Sequence, residues 1–120
     1  MLKKRNRLSR SEFEHLLKRG RRLHSDHVSI VYSFVSSRPT PYPPQPTPSF
    51  KAGVVVSKKV ARKAVERNRL RRLVYHTLEA QQESLVGMYV AVLLKKGAAG
   101  LEPDVLSKEI QVLLEKAHPS

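Results

Sequence analysis

Lys58-Lys59-Val60-Ala61-Arg62-Lys63-Ala64-Val65-Glu66-Arg67-Asn68-Arg69-Leu70-Arg71-Arg72-Leu73 holds eight Lys or Arg and one acid in sixteen residues. Apolar residues recur through and beyond it at helical spacing. On a wheel of 100° per residue Leu70, Leu73, Val74, Thr77 and Leu78 gather on one side. Asn68, Arg72 and Tyr75 point the other way with Val65 near them, while Arg67 and Arg71 share one flank and Arg69 occupies the other. The pattern predicts a helix from about Arg62 to Gln82, with its apolar stripe on a sheet and its arginines in solvent. Such a face calls for a polyanion.

Working outward, Lys51–Val56 predicts a strand with Ala52, Val54 and Val56 on one side and Gly53 and Val55 on the other. Its nearly continuous apolar run suggests a central, buried position. Val28–Val35 alternates Val28, Ile30, Tyr32 and Phe34 with Ser29, Val31 and Ser33, which suits a sheet covered on one side. The two strands are most simply antiparallel neighbours. Between them, residues 36–50 contain six of the eight prolines and predict an extended, flexible loop. Met88–Leu94 reads as another buried strand and Lys95–Gly100 as a loop. The last helix opens at Glu102-Pro103-Asp104 and packs through Leu106, Ile110, Leu113, Leu114 and Ala117.

Towards the N-terminus, Arg21–His24 is a short strand candidate. Ser9 and Glu12 form a capping box for a helix over Ser9–Arg19, with Leu8 and Phe13 as a hydrophobic staple, and Ser11 with Glu14 offers a second register two residues on. Phe13, Leu16 and Leu17 make its stripe and Gly20 its terminator. Residues 1–8 form a basic arm. The whole is a single 120-residue domain of α+β class, in the order α-β-β-β-α-β-α.

The chain has 23 Lys+Arg against 10 Asp+Glu, a net charge of +13, which points to nucleic acid or an anionic membrane. Residues 1–24 and 51–72 carry nine cations each, 18 of the 23, whereas residues 73–120 carry four against six acids. If the two basic segments lie together, they make one positive surface. There is no cysteine, so disulfides, thiolate chemistry and cysteine zinc sites are excluded. No apolar run approaches the ~18 residues of a spanning helix, and no apolar signal core follows the basic terminus, which predicts a cytoplasmic protein with no membrane partner.

Chemistry-bearing constellations are sparse. His24 and His27 lie near a turn without a third ligand type, and surface histidines are the simpler reading. Ser25-Asp26-His27 has triad residue types, but adjacency in sequence is not triad geometry. No acid pair is placed for general acid–base work and no glycine loop for a nucleotide, so neither a catalytic residue nor a small-molecule substrate is expected. The basic helix is flanked by strands rather than by a positioning helix. That favours RNA, read by shape, phosphates and stacked single strands, over DNA.

Residues Ala64 to Leu73 behind Lys58-Lys59 resemble the Arg-Asn-Arg signature of the bacterial ribonuclease P protein subunit. Lys3-Lys4-Arg5-Asn6-Arg7-Leu8, Phe13, Gly20 and Gly53-Val54-Val55-Val56-Ser57-Lys58-Lys59 match it in order and spacing. The resemblance implies a four-stranded sheet packed by three helices, similar to a ribosomal-protein domain, with a left-handed crossover through the basic helix. It also implies a partner: a large catalytic RNA that holds Mg2+ and hydrolyses the phosphodiester freeing the mature 5′ end of tRNA. The protein itself would be a non-catalytic, RNA-binding subunit without a metal site, which binds that RNA and the 5′ leader of precursor tRNA. By position, Lys3, Lys4, Arg5, Arg7, Lys58, Lys59, Arg62, Arg67, Asn68, Arg69, Arg71 and Arg72 are the implied RNA-binding residues. Phe13, Leu17 and Tyr32 are those of the leader cleft. Leu17 stands where the family often has an aromatic, and Tyr75 where the signature is usually basic. A general RNA-binding protein and a self-sufficient nuclease are the alternative classes.

Overall fold

A computed structural model describes residues 7–34, 50–81, 85 and 87–117. The elements are α1 (Arg10–Arg19), β1 (Arg21–His24), β2 (Val28–Phe34), β3 (Lys51–Val55), α2 (Ala64–Ala80), β4 (Met88–Leu94) and α3 (Pro103–Ala117). A 3-10 turn at Ala98–Gly100 interrupts the loop expected before α3. The α-β-β-β-α-β-α order and the four-stranded sheet with three helices are as expected.

The sheet order is β1-β2-β4-β3, with β1–β2 and β2–β4 antiparallel and β3–β4 parallel. Two expectations are corrected here. Strands β2 and β3 are not neighbours, because β4 lies between them and α2 carries the chain from β3 back to its parallel partner β4. Nor is β3 central. It sits at the sheet's end, with α2 against one face and Phe13 of α1 over Gly53 on the other.

Both faces of the sheet are in fact covered, by two separate cores. Val28, Ile30, Tyr32, Ala52, Val90 and Val92 pack with Leu70, Val74 and Leu78 of α2 and with Leu106, Ile110, Leu113, Leu114 and Ala117 of α3. The hydroxyls of Thr77 and Ser107 bond at 2.8 Å between those helices, so the buried Thr77 is satisfied. On the other face Leu16 of α1 covers Val31 and Ala91, with Leu8, Phe13, Leu17, Tyr89 and Leu93 around them. The strand face that alternation marked as mixed is therefore occupied by Val31. Phe50, assigned to the Pro-rich loop, is 5 % exposed and belongs to the main core. The remainder of that loop, residues 36–49, and Val35 lie outside the described residues.

The start of α1 follows its sequence signal. The Glu12 amide donates to Ser9 Oγ at 3.2 Å and the Ser9 amide to Glu12 Oε1 at 2.9 Å. Gly20 ends the helix for a reason other than left-handed geometry, since its φ is −73°. A Cβ there would lie 2.7 Å from both the Leu16 carbonyl oxygen and Val31 Cγ1. Glycine is needed because α1 turns into the sheet at van der Waals contact.

Candidate nucleic-acid interface

The basic helix begins at Ala64, two residues after the predicted start, because Lys58–Val60 form a turn ahead of it. Arg67 holds that turn. Its Nη1 donates to the Ala61 carbonyl at 3.0 Å and to the Arg62 carbonyl at 2.7 Å. One implied RNA contact is thus partly committed to the fold, although a guanidinium has five N–H donors and retains others. Arg71 Nη1 donates to Asn68 Oδ1 at 3.2 Å, which orients both side chains on one flank. Arg69 and Arg72 are exposed, as are Lys58, Lys59 and Arg62 in the preceding loop. No side chain caps α2 at Lys63, so the partial positive charge of the first-turn amides adds to the same end of the helix.

The second basic segment reaches this surface through the arm. The Leu8 amide donates to the Ala52 carbonyl at 3.1 Å, and Arg7 pairs with Ala52 in a parallel bridge along the outer side of β3. The Arg7 guanidinium lies 5.9 Å from the centroid of the Tyr75 ring. Two expectations change. Residues 7 and 8 are attached to the sheet rather than free, and Tyr75 does not point into solvent. It is half-buried against the main core, because α2 lies beside the end strand and its flank is roofed by the arm. Lys3, Lys4 and Arg5 lie outside the described residues.

The predicted cleft residues are only partly brought together. Phe13 and Leu17 are half-buried on the α1 face of the sheet. Phe13 sits directly over Gly53, where a Cβ would meet its ring at 3.0 Å, so the glycine makes room for the aromatic. Tyr32 is on the opposite face, 7 % exposed in the main core. Register explains the displacement: Arg22, Val31, Ala91 and Gly53 pair across the sheet on the α1 side, whereas Tyr32 shares parity with Val90 and Ala52.

The aromatic that does stand on the α1 face is Tyr89, which sequence reasoning assigned to a buried strand. Strand parity was the available signal, since Tyr89 alternates with the core residues Met88 and Val90. Lys51 Nζ lies 5.8 Å from the Tyr89 centroid and 2.8 Å from Glu12 Oε2. Burial pushes the Glu12 carboxyl up, but the bonds from Lys51 and from the Ser9 amide and hydroxyl outweigh it and hold the group below the usual carboxylate value. Lys51 is correspondingly raised by the bond to Glu12. The α1 side of the sheet thus combines Phe13, Leu17 and Tyr89 with one neutralised cation.

The histidines go to separate structural partners. His24 Nδ1 bonds Ser29 Oγ at 2.7 Å, and His27 Nδ1 lies 3.0 Å from Glu109 Oε1. Glu109 also accepts from the Ser25 hydroxyl and, at 2.9 Å, from the His27 amide, tying the β1–β2 turn to α3. Ser25 and His27 therefore meet the same carboxylate rather than forming a relay. Among the described residues no three His, Cys, Asp or Glu cluster to hold a metal, and no helix is long and apolar enough to cross a membrane.

The same arrangement of elements occurs in solved proteins. The RNase P protein of Staphylococcus aureus superposes with a TM-score of 0.78 at 17 % identity, covering 93 % of this chain and 94 % of that one. The RNase P protein of Thermotoga maritima gives 0.74 at 20 % identity, covering 92 % and 96 %. In sequence, the ribonuclease P protein component of Parasynechococcus marenigrum (strain WH8102) is 36 % identical over 112 residues, 88 % of this chain and 86 % of the relative. That of Synechococcus sp. (strain RCC307) is 31 % identical over 121 residues, covering 98 % and 95 %. The family model described as Ribonuclease P matches residues 2–118. With nearly the full length matched, with the basic helix on a parallel crossover and the arm lying beside it, the chain belongs to the ribonuclease P protein family.

Proposed function

We propose that this chain is the single-domain, cytoplasmic, non-catalytic subunit that docks on the catalytic RNA of ribonuclease P. In that assembly it helps remove the 5′ leader of precursor tRNA. The observation that carries the reading is the convergence of Lys58, Lys59, Arg62, Arg69 and Arg72 with the arm's Arg7 on and beside one rigid helix. Arginines held on a helix lose less freedom on binding than arginines on a tail, and their planar forks grip phosphate oxygens in pairs. The basic surface offsets phosphate repulsion where two RNAs approach and so lowers the magnesium the assembly requires. Lys3, Lys4 and Arg5 add their charge to RNA binding.

The leader lies beside α1, against Phe13 and Leu17, with Tyr89 rather than Tyr32 as the tyrosine on that face. Unstacked bases take aromatic and apolar faces readily. Magnesium favours oxygen ligands, and the proposed docking face offers guanidinium and ammonium groups instead. The chain's own residues do not fit that ion, and the reading assigns it to the RNA with the hydrolytic chemistry.

Precursor-tRNA cleavage at low magnesium, with protein alone, RNA alone and both, tests the reading. It requires 5′-end cleavage only where RNA is present and more of it with both. Cleavage by protein alone would make the chain a nuclease. No stimulation of the RNA would leave it a general RNA-binding protein.

A further inference from the structure

The contact between Arg7 and Tyr75 joins residues 68 positions apart in the chain, and it has a chemical consequence for the docking face. The Arg7 backbone is pinned to β3 by its bridge to Ala52 and by the Leu8 amide on the Ala52 carbonyl. From there the side chain reaches over the flank of α2, with its guanidinium 5.9 Å from the Tyr75 centroid. On α2, Tyr75 lies one turn beyond Arg71 and Arg72. We propose that Tyr75 is a positioning residue, whose ring holds the exposed Arg7 guanidinium beside Arg71 and Arg72 as an additional phosphate contact for the catalytic RNA. The proposal rests on the reading of α2 as the RNA-docking face and extends it.

The choice of partner decides what the cation can still do. A carboxylate holding Arg7 would neutralise it and occupy its N–H donors. An aromatic ring attracts the cation through its face and leaves the five donors, which lie in the guanidinium plane, available to phosphate oxygens. Among the described residues no acid forms an ion pair with Arg7; the pairs present are Arg10–Glu14, His27–Glu109 and Lys51–Glu12. Lys51 makes the contrast within the same molecule, since it lies near a tyrosine ring as well but is neutralised by Glu12. The resemblance implies a basic residue where this chain has Tyr75, so the stack returns a positive charge to that turn of the helix, carried by the arm.

The experiment is a titration of the full chain against the transcribed ribonuclease P RNA from the same genome, over a salt series. It compares the wild type with Arg7→Ala, Tyr75→Leu, Tyr75→Phe, the Arg7→Ala/Tyr75→Leu double variant and Arg7→Ala/Tyr75→Arg. Arg7→Ala should weaken binding several-fold and flatten the log K against log salt slope by roughly 0.7 to 0.9, the effect of one phosphate contact. Tyr75→Leu keeps the cation but loses its seat. It should weaken binding about three- to fivefold, the size of an exposed cation–π contact, with little change in slope. Tyr75→Phe keeps the ring and should match the wild type. The Ala/Leu double variant should bind no worse than Arg7→Ala, and Ala/Arg should recover both affinity and slope.

Wild-type affinity for Tyr75→Leu, or additive losses in the double variant, would overturn the proposal. Thermal denaturation of each variant separates a loss of seat from a loss of fold, and a Tyr75→Leu protein that is folded yet weak counts in favour. A wild type that does not bind the RNA at all would overturn the docking reading itself, which is a distinguishable result.

Discussion

At the scale of single residues, the arginines of the basic helix divide by what they already hold. Arg67 spends Nη1 on the Ala61 and Arg62 carbonyls, whereas Arg69 is exposed. Arg67→Ala should therefore cost stability in the free protein, about 1 kcal/mol for partly exposed bonds from a charged donor, as well as RNA affinity. Arg69→Ala should cost affinity alone. Urea denaturation of the two variants checks this, and equal stability would remove the structural role of Arg67. Glu12 and Glu109 make a second residue-level prediction. Both carboxyls are held below the usual carboxylate range: burial raises each, and the bonds from Lys51 and Ser9, or from Ser25 and His27, outweigh it. The folded value lies below the unfolded one, so the stabilisation is fully present above the unfolded value and is lost as pH falls through the folded value. Replacing both with Gln should flatten the acid limb of a stability–pH profile. A double variant whose acid limb parallels that of the wild type would contradict it.

At the scale of elements, α1 shows what local sequence can and cannot convey. Its start was legible to within two residues because the capping box is a local device, written in Ser9 and Glu12 and again in Ser11 and Glu14, and the bonds that form are those of Ser9 and Glu12. Its end was legible as a position but not as a cause, because the clash that demands Gly20 involves Val31 from another element. Gly20→Ala should destabilise the protein by about 1 to 3 kcal/mol, the usual cost of overpacking. Because α1 carries Phe13 and Leu17, the same variant should lose affinity for a single-stranded 5′ leader. Chemical denaturation and leader titration test the two effects together, and an unchanged denaturation midpoint would show that α1 can shift without cost. The strands repeat the lesson. Met88–Leu94 was readable from its apolar run and Arg21–His24 only as a candidate, yet the insertion of β4 between β2 and β3 was not, because pairing order is a long-range property of the sheet. Tyr32 and Tyr89 show the cost within the candidate site. Parity places each on a face, but which face receives α1 depends on Gly53 and Ala91, whose small size opens the room that Phe13 and Leu16 fill. The basic helix was legible as a face. Its roof, made by Arg7, was not, since nothing local to Tyr75 marks a partner 68 positions away.

At the scale of the molecule, charge is sorted rather than spread. Residues 1–24 and 51–72 hold 18 of the 23 cations, while residues 73–120 are slightly acidic, with four Lys against six acids. A field of this shape orients the protein as it approaches a polyanion, and the binding it produces must depend steeply on salt. Six of the exposed cations in those two segments, Arg7, Lys58, Lys59, Arg62, Arg69 and Arg72, would give a log K against log salt slope of about −5 if each displaced one counterion from a duplex, at about 0.9 per contact. A slope shallower than about −2 would mean that few of them touch phosphate. Position can be separated from total charge by pairing two double variants. Arg69→Ala/Arg72→Ala and Lys108→Ala/Lys116→Ala each lower the net charge by two, the first on α2 and the second on exposed sites of α3. If the protein docks through one sorted face, the α2 pair should lose at least tenfold in RNA affinity, flatten the slope by nearly 2 and raise the magnesium needed for precursor-tRNA cleavage, whereas the α3 pair should stay within about twofold of wild type. Equal losses from the two pairs would mean that the RNA responds to net charge alone, and the surface assembled from arm and helix would then have no privileged role.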